Sequence, residues 1–242
     1  MPSFYIDFSD TTSDIEVSCE EFHHISHVFR HKKHDVIALV NGKGLKAKAA
    51  IKDITKKSLI LEINELIHVQ KPARKVACAF SLLKNKNDLL IVEKLTELGV
   101  SDLFPLQTKN SVKLSKENTK DKMIKTAISA IKQCDNAWLP NIHDVMNLET
   151  VLAKIGESGY TPFVASEMIP EQTLYSALSS PKDVCIIIGP EGGFDTSEFA
   201  LFNQRSIQQV SISINILRAE TAAICAVSQA MAINTFVIAR SL

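Results

Sequence analysis

The sequence predicts an α/β protein with a small β-rich N-terminal part and a larger C-terminal part on a mostly parallel sheet. Three observations carry this. Short alternating or apolar runs separated by turn residues fill the first 70 or so positions. From about residue 74, strand-like runs alternate with helix-periodic ones, the pattern of parallel strands joined by crossover helices. The change falls at "HVQKPARK", where Pro72 and the basic Lys71, Arg74 and Lys75 read as a linker. The expected division is therefore 1–70 and 74–242, with a barrel or sandwich in the first part.

Taken in order, FYIDF, DVIALV, KAKAAI and SLILEI are the N-terminal strands, and Asn41-Gly42-Lys43-Gly44 is a hairpin turn between two of them. VACAFSLL is the first strand of the second part. NDLLIVEKLTELGV then reads as an amphipathic helix closed by Gly99 beyond its C-terminus. DLFPL is a strand. Residues 116–133 form a helix with apolar positions at Met123, Ile124, Ala127, Ile128 and Ile131. TPFVAS, DVCIII and QVSISI are strands, the last ending near Ile214, and a long apolar helix from Thr221 closes the chain.

With 45% apolar and 22% charged residues in 242, the chain has the makeup of an ordinary globular protein with a sizeable core. No apolar run reaches the roughly 18–20 residues of a membrane span. The start MPSFYIDFSD lacks a basic n-region, so no secretory leader is expected. Cys19, Cys78, Cys134, Cys185 and Cys225 are odd in number and scattered, which points to buried, reduced thiols in a cytoplasmic protein rather than disulfides or a zinc site. His23, His24, His27, His31 and His34 fit no closed zinc spacing and read as barrel-edge or nucleic-acid-facing residues; no metal is expected. The neutral net charge hides an asymmetry. Residues 30–132 hold 22 Lys/Arg against 10 Asp/Glu, while the remainder holds 5 against 17. Such a basic stretch is either a solvated lysine face or a surface that meets a polyanion.

In "VCIIIGPEGGFDTSEF" an apolar strand runs into a turn rich in glycine, and a helix start follows at once. Gly189, Gly192 and Gly193 sit at the carboxyl end of a strand, where parallel-sheet proteins place ligands. Asp195 with Glu198 forms a capping box for the next helix. No Gly-Lys-Ser/Thr follows, so this is no P-loop, and the spacing is not GxGxxG. Glu191 would repel an anion, so the turn suits a neutral or cationic ligand. A second segment, "VSISINILRAETAAICAV", places Arg218 and Glu220 in a loop before the final helix. They either pair with each other or leave Arg218 to grip a substrate oxygen with its guanidinium fork. The final helix is apolar enough to be either core or a dimer interface.

Together, "IIGPEGGF" and, some twenty residues on, "ILRAETA" resemble the small-subunit (16S) rRNA uracil-N3 methyltransferases, within the SPOUT superfamily of trefoil-knotted enzymes. "KLTELGVSDLFPLQTKNS" and "AIKQCDNAWLP" resemble two further blocks of that family. "HHISHVFRHKKHDVIALVNGKG" is similar to its PUA-like RNA-binding barrel. The resemblance covers essentially the whole chain. It implies a PUA-like domain over 1–70, a knotted α/β methyltransferase domain over 74–242, and a homodimer formed through the latter. It also implies S-adenosyl-L-methionine as cofactor and, as substrate, the uridine at rRNA position 1498 of the small ribosomal subunit. The cofactor would be held by three strand-end loops: Ser166 and Glu167; Ile188, Gly189, Pro190, Gly192 and Gly193; and Ile212, Ile214, Ile216, Leu217, Thr221 and Ala222. Arg218 would stabilise charge on a uracil oxygen, and Glu191, Glu220 or Thr221 would accept or relay the N3 proton. Arg30, Lys32, Lys33, Lys43, Lys84 and Lys109 would meet RNA. Asn110, Asn136 and Asn215 stand where the family commonly shows arginine, and Ser213 where it shows glycine. A non-catalytic RNA-binding or assembly protein on the same fold is the competing reading; a ribose 2′-O or tRNA methyltransferase is a third.

Overall fold

The computed structural model describes residues 3–166, 172–178 and 182–239, with side chains described to residue 233. It divides into two compact units, Met1–Lys71 with Ile128–Leu139, and Pro72–Ala127 with Pro140–Leu242.

The first unit is a five-stranded sheet of β1 (Phe4–Tyr5), β2 (Asp14–Ser18), β3 (Val36–Val40), β4 (Leu45–Ile54) and β5 (Ser58–His68) in the order β1-β3-β4-β5-β2. The β1–β3 pair is parallel and the others antiparallel. Alternation sets the faces: Ile15 and Val17 of β2, and Ala47, Ala49 and Ile51 of β4, point inward. Phe4 and Ile15 come from the two edge strands and lie in one core with Leu39, Leu59 and Leu61, so the sheet curls around its own apolar face. The 41–44 turn forms as expected. Asn41 Oδ1 accepts from the amides of Lys43 (2.8 Å) and Leu45 (3.0 Å), and Gly44 at φ +98° lies under the Trp138 ring. Two features escaped the periodicity reading: β2, and between β2 and β3 a short helix α1 (Cys19–His23) running into a π-helical turn at His24–Val28. β2, α1 and the π-helical turn are each five residues long, below the length at which a period declares itself.

The second unit holds β6 (Val76–Ser81), β7 (Asp102–Gln107), β8 (Asn141–Ile142), β9 (Met146–Asn147), β10 (Thr161–Ala165), β11 (Val184–Ile188) and β12 (Gln208–Val210). They form one parallel sheet ordered β12-β10-β11-β6-β7-β8, with β9 also on β7. Every residue of β6 and β11 is buried, as in a sheet covered on both faces. The helices are α2 (Asn87–Glu97), α3 (Thr119–Cys134, whose last residues belong to the first unit), α4 (Leu148–Glu157), α5 (Leu174–Ala177), α6 (Thr196–Gln204) and α7 (Ala219–Ala239). Gly99 at φ +84° ends α2 in a Schellman turn, with Val100 N on Leu95 O (3.1 Å) and Gly99 N on Thr96 O (3.1 Å). Helix α7 packs on α2, α5, β6 and β11 and buries Ala223, Ala226, Val227 and Ala230.

Three expectations need correcting. The last strand stops at Val210 rather than near Ile214, because Ser211 turns aside to pair with Gln172 and Leu174. The final helix starts two residues early, at Ala219. Cys78 and Cys185 are buried and burial pushes their thiols up, but Cys19 is exposed and Cys134 and Cys225 are only partly covered.

Candidate active site at the carboxyl edge of the parallel sheet

Because the sheet is parallel, the carboxyl ends of β7, β6, β11, β10 and β12 lie along one edge, and the loops leaving them meet there. The loop after β11 is the glycine turn. Gly193 N closes on Pro190 O at 3.0 Å, and Gly193 takes φ +69°, a conformation that favours glycine. A Cβ on Gly189 would lie 3.0 Å from the Phe194 ring, which is wedged edge-on against Phe199 and Phe202. Asp195 and Glu198 form the capping box on α6, with Asp195 Oδ1 accepting from Ser197 N at 3.0 Å and Glu198 Oε2 accepting from Asp195 N at 2.8 Å. Hydrogen bonds from Ser197 and from Lys109 hold the Asp195 carboxyl down at about 2.

Neighbouring loops grip this turn from the side. From the loop after β6, the Lys84 amide donates to Glu191 Oε1 at 3.2 Å. From the loop after β7, Asn110 Nδ2 donates to the carbonyls of Gly193 (3.1 Å) and Gly192 (3.4 Å). Beside it, the Lys109 amide donates to Glu198 Oε1 at 3.1 Å, and its ammonium to Ser197 Oγ (2.6 Å) and Asp195 Oδ1 (3.2 Å). On the other flank Ser166, at the end of β10, donates its amide to Val210 O of β12 at 3.1 Å.

The 212–218 loop continues from β12. Gln229 on α7 donates to Ile212 O at 2.8 Å, Ser213 Oγ accepts from Asn215 N at 3.1 Å, and Ala222 N reaches Arg218 O at 2.8 Å to open α7. Ser213 is not among the residues at positive φ, so the loop does not require glycine there. Ile214 and Ile216 are almost wholly exposed, at 104% and 80%. Arg218 and Thr221 are exposed and Glu220 half-covered. Among the described residues Arg218 forms no ion pair, so it is not tied to Glu220.

The edge thus assembles Ser166, Ile188, Gly189, Pro190, Glu191, Gly192 and Gly193 at adjacent strand ends, with Ile212, Ile214, Ile216, Leu217, Arg218, Glu220, Thr221 and Ala222 on the loop and helix that follow β12. Glu167 lies outside the described residues.

The family model of the RNA methyltransferase domain matches residues 69–231, and that of the RNA methyltransferase PUA domain matches 19–64. The Ribosomal RNA small subunit methyltransferase E of Rickettsia conorii is 30% identical over 228 residues, covering 90% of this chain and 89% of its own. The chain belongs to this methyltransferase family. The Bacillus subtilis member is 28% identical, covering 88% of this chain and 87% of its own. The crystal structure of the Neisseria gonorrhoeae enzyme, bound to S-adenosyl methionine, superposes with a TM-score of 0.86 over 98% of both chains at 22% identity, a likeness of fold. The α/β fold and the N-terminal PUA domain expected of a family member are both present.

Among the RNA-facing candidates of this methyltransferase, Arg30 and Lys32 are exposed and form no ion pair among the described residues. Lys33 reaches Asp53 at 3.4 Å and Lys43 reaches Asp7 at 2.8 Å, both pairs exposed. Lys84 contributes its amide to the turn and is exposed, whereas the Lys109 ammonium, also exposed, is engaged by Asp195 and Ser197 of the capping turn. Among the described residues no group of three or more His, Cys, Asp or Glu could hold a metal, and no helix is long and apolar enough to cross a membrane. Sequence reading undervalued Asn110, seen only as a missing arginine, and missed Gln229. The signal for Gln229 was a polar carboxamide within the largely apolar run from Ala222 to Ile233.

Proposed function

We propose that this chain transfers a methyl group from S-adenosylmethionine to N3 of the uridine at position 1498 of small-subunit rRNA. The supporting observation is that the glycine turn after β11 and the 212–218 loop after β12 leave the same carboxyl edge of the sheet, with Arg218 exposed on the second and in no ion pair among the described residues. The amides of Glu191, Gly192, Ile216 and Leu217 donate no hydrogen bond within the chain among the described residues, which suits a ligand held by main-chain groups. The lone carboxylate in the turn, Glu191, is matched to a cationic rather than an anionic ligand. When bound, S-adenosylmethionine supplies an electrophilic methyl group on a positively charged sulfur.

The chain's own residues do the rest. Residues 188–193 and 212–221, with Ser166 and Glu167, hold the cofactor. Arg218 stabilises the negative charge that develops on a uracil oxygen as N3 loses its proton. Of the candidate proton acceptors Glu191, Glu220 and Thr221, Glu191 has its carboxylate oriented, by the Lys84 amide. The PUA-like domain over 1–70 supplies RNA contacts through Arg30, Lys32, Lys33 and Lys43, and the 74–242 domain carries the chemistry. Two copies join through that domain, and the protein works in the cytoplasm with the 16S rRNA of the small ribosomal subunit.

The test is methyl transfer from labelled S-adenosylmethionine to small subunits lacking the modification, followed by nucleoside digestion. Label on N3-methyluridine at position 1498 is the expected result. Cofactor binding with no label on subunits or naked rRNA would sink the catalytic reading and favour a non-catalytic assembly protein.

A further inference from the structure

In the first unit, the chain between β2 and β3 is unusual for so short a stretch. A π-helical turn at His24–Val28, rare in proteins and often found at functional sites, is followed by two non-glycine residues at positive φ, Arg30 (+57°) and His34 (+76°). Such backbone is kept only where the surroundings hold it and something gains from it. Here it keeps apolar side chains in solvent: Val28 is 57% and Phe29 48% exposed. Phe29 is not loose. Its ring meets buried Phe4 edge-on at 5.4 Å and 87°, and lies within 18° of parallel to the His31 ring at 6.3 Å. His31 is itself fixed, with Nδ1 3.2 Å from Asp35 Oδ2. Flanking this rigid ring are Arg30 and Lys32, exposed and without ion-pair partners among the described residues, and Lys33, weakly paired with Asp53 at 3.4 Å.

We infer that Phe29 is a stacking platform for one unpaired base of RNA, with Arg30 and Lys32 on the phosphates either side. This deepens the proposed function and rests on its RNA-binding PUA-like domain. A bare ring between uncommitted cations is the combination that single-stranded nucleic acid recognises, since every base has a π-face and every linkage a negative charge. A duplex, whose bases are already stacked, gains only the charge part. A protein or lipid partner would bury Phe29 for its apolar surface, so leucine at position 29 would serve it nearly as well.

The distinguishing measurement is fluorescence anisotropy of the intact protein with a labelled single-stranded RNA of about 12 nucleotides and with its duplex, across roughly 50–200 mM salt. Phe29→Ala and Phe29→Leu should each weaken the single strand by roughly five- to a hundred-fold at every salt concentration, leaving the salt slope and the duplex affinity unchanged. Phe29→Trp should retain binding. Lys32→Ala should weaken both RNAs and lower the slope by about one. Phe29→Leu keeps an apolar group against Phe4, so it separates stacking from folding. If it binds the single strand as wild type does, or if all Phe29 variants lose single strand and duplex equally, the inference is overturned. If the wild-type protein binds neither RNA, the RNA-binding reading falls and the platform with it. Failure of methyl transfer by a protein that discriminates single strand from duplex through Phe29 would count against the catalytic reading alone.

Discussion

The carboxamide of Asn110 donates to the carbonyl of Gly193 at 3.1 Å, joining the loop after β7 to the glycine turn after β11. The same nitrogen reaches Gly192 O at 3.4 Å, and the two residues' Cβ positions would be only 3.4 Å apart were Gly192 an alanine. The exposed Asn110 side chain thus turns toward the glycine turn and braces it.

Replacing Asn110 by aspartate should therefore act on the cofactor. The variant swaps a donor for a carboxylate against two carbonyls, a loss of about 1–3 kcal/mol in the geometry of the turn. The affinity for S-adenosylmethionine, read by calorimetry, should fall about tenfold while binding of free rRNA is unchanged. Unaltered cofactor affinity would show that the turn holds its shape without the latch.

Arg218→Lys keeps the charge and removes the planar fork. The expected outcome is a kcat lower by on the order of a hundredfold, with cofactor affinity within about twofold of wild type. A parallel loss of cofactor binding would instead make Arg218 part of the cradle.

Gly44→Ala tests the first unit. Its Cβ would fall 2.2 Å from Trp138 Cζ2 at a φ of +98°, and the indole is anchored by its Nε1–H on Val69 O at 3.1 Å. Neither backbone nor ring can yield cheaply, so a loss of about 3 kcal/mol or more is expected, read as the shift in urea midpoint at constant m-value.

Acid should act through Asp102. Burial pushes its carboxyl up, but hydrogen bonds from Tyr160 (2.5 Å), Asn141 (2.9 Å) and His143 (3.0 Å) outweigh this and hold it below the usual range. A folded value below the unfolded one gives stability that is present above about pH 4 and lost as pH falls further. Denaturation midpoints of wild type should therefore drop more steeply below about pH 4 than those of Asp102→Asn, which starts less stable and responds less to pH. Parallel curves would remove Asp102 from the acid response.

Much was legible without coordinates, for a local reason. Capping and turn chemistry act within four or five residues, so the Asp195–Glu198 box, the Gly99 stop and the Asn41–Gly44 turn could be read from adjacent letters, and each is present. The alternation of strand-like and helix-periodic runs likewise marked a mostly parallel sheet, and hence a ligand site at the carboxyl ends of its strands. Short elements were not legible, because β2 and the π-helical turn are too brief to show a period. Nor could spacing foretell which way a polar side chain would turn. Lys109 carries the charge expected of an RNA contact, yet its ammonium is drawn to Asp195 and Ser197, 86 and 88 residues along the chain. Asn110 looks like a missing cation and is instead a latch, and QVSISI keeps a strand's alternation while Ser211 leaves the ladder for Gln172 and Leu174. The sequence by itself determined the longer elements, the local caps and turns named above, and the identity of the motif-bearing loops. Tertiary structure alone decided which loops touch and which charges are spent, because hydrogen bonds across a sheet edge depend on strand order, which no local pattern encodes.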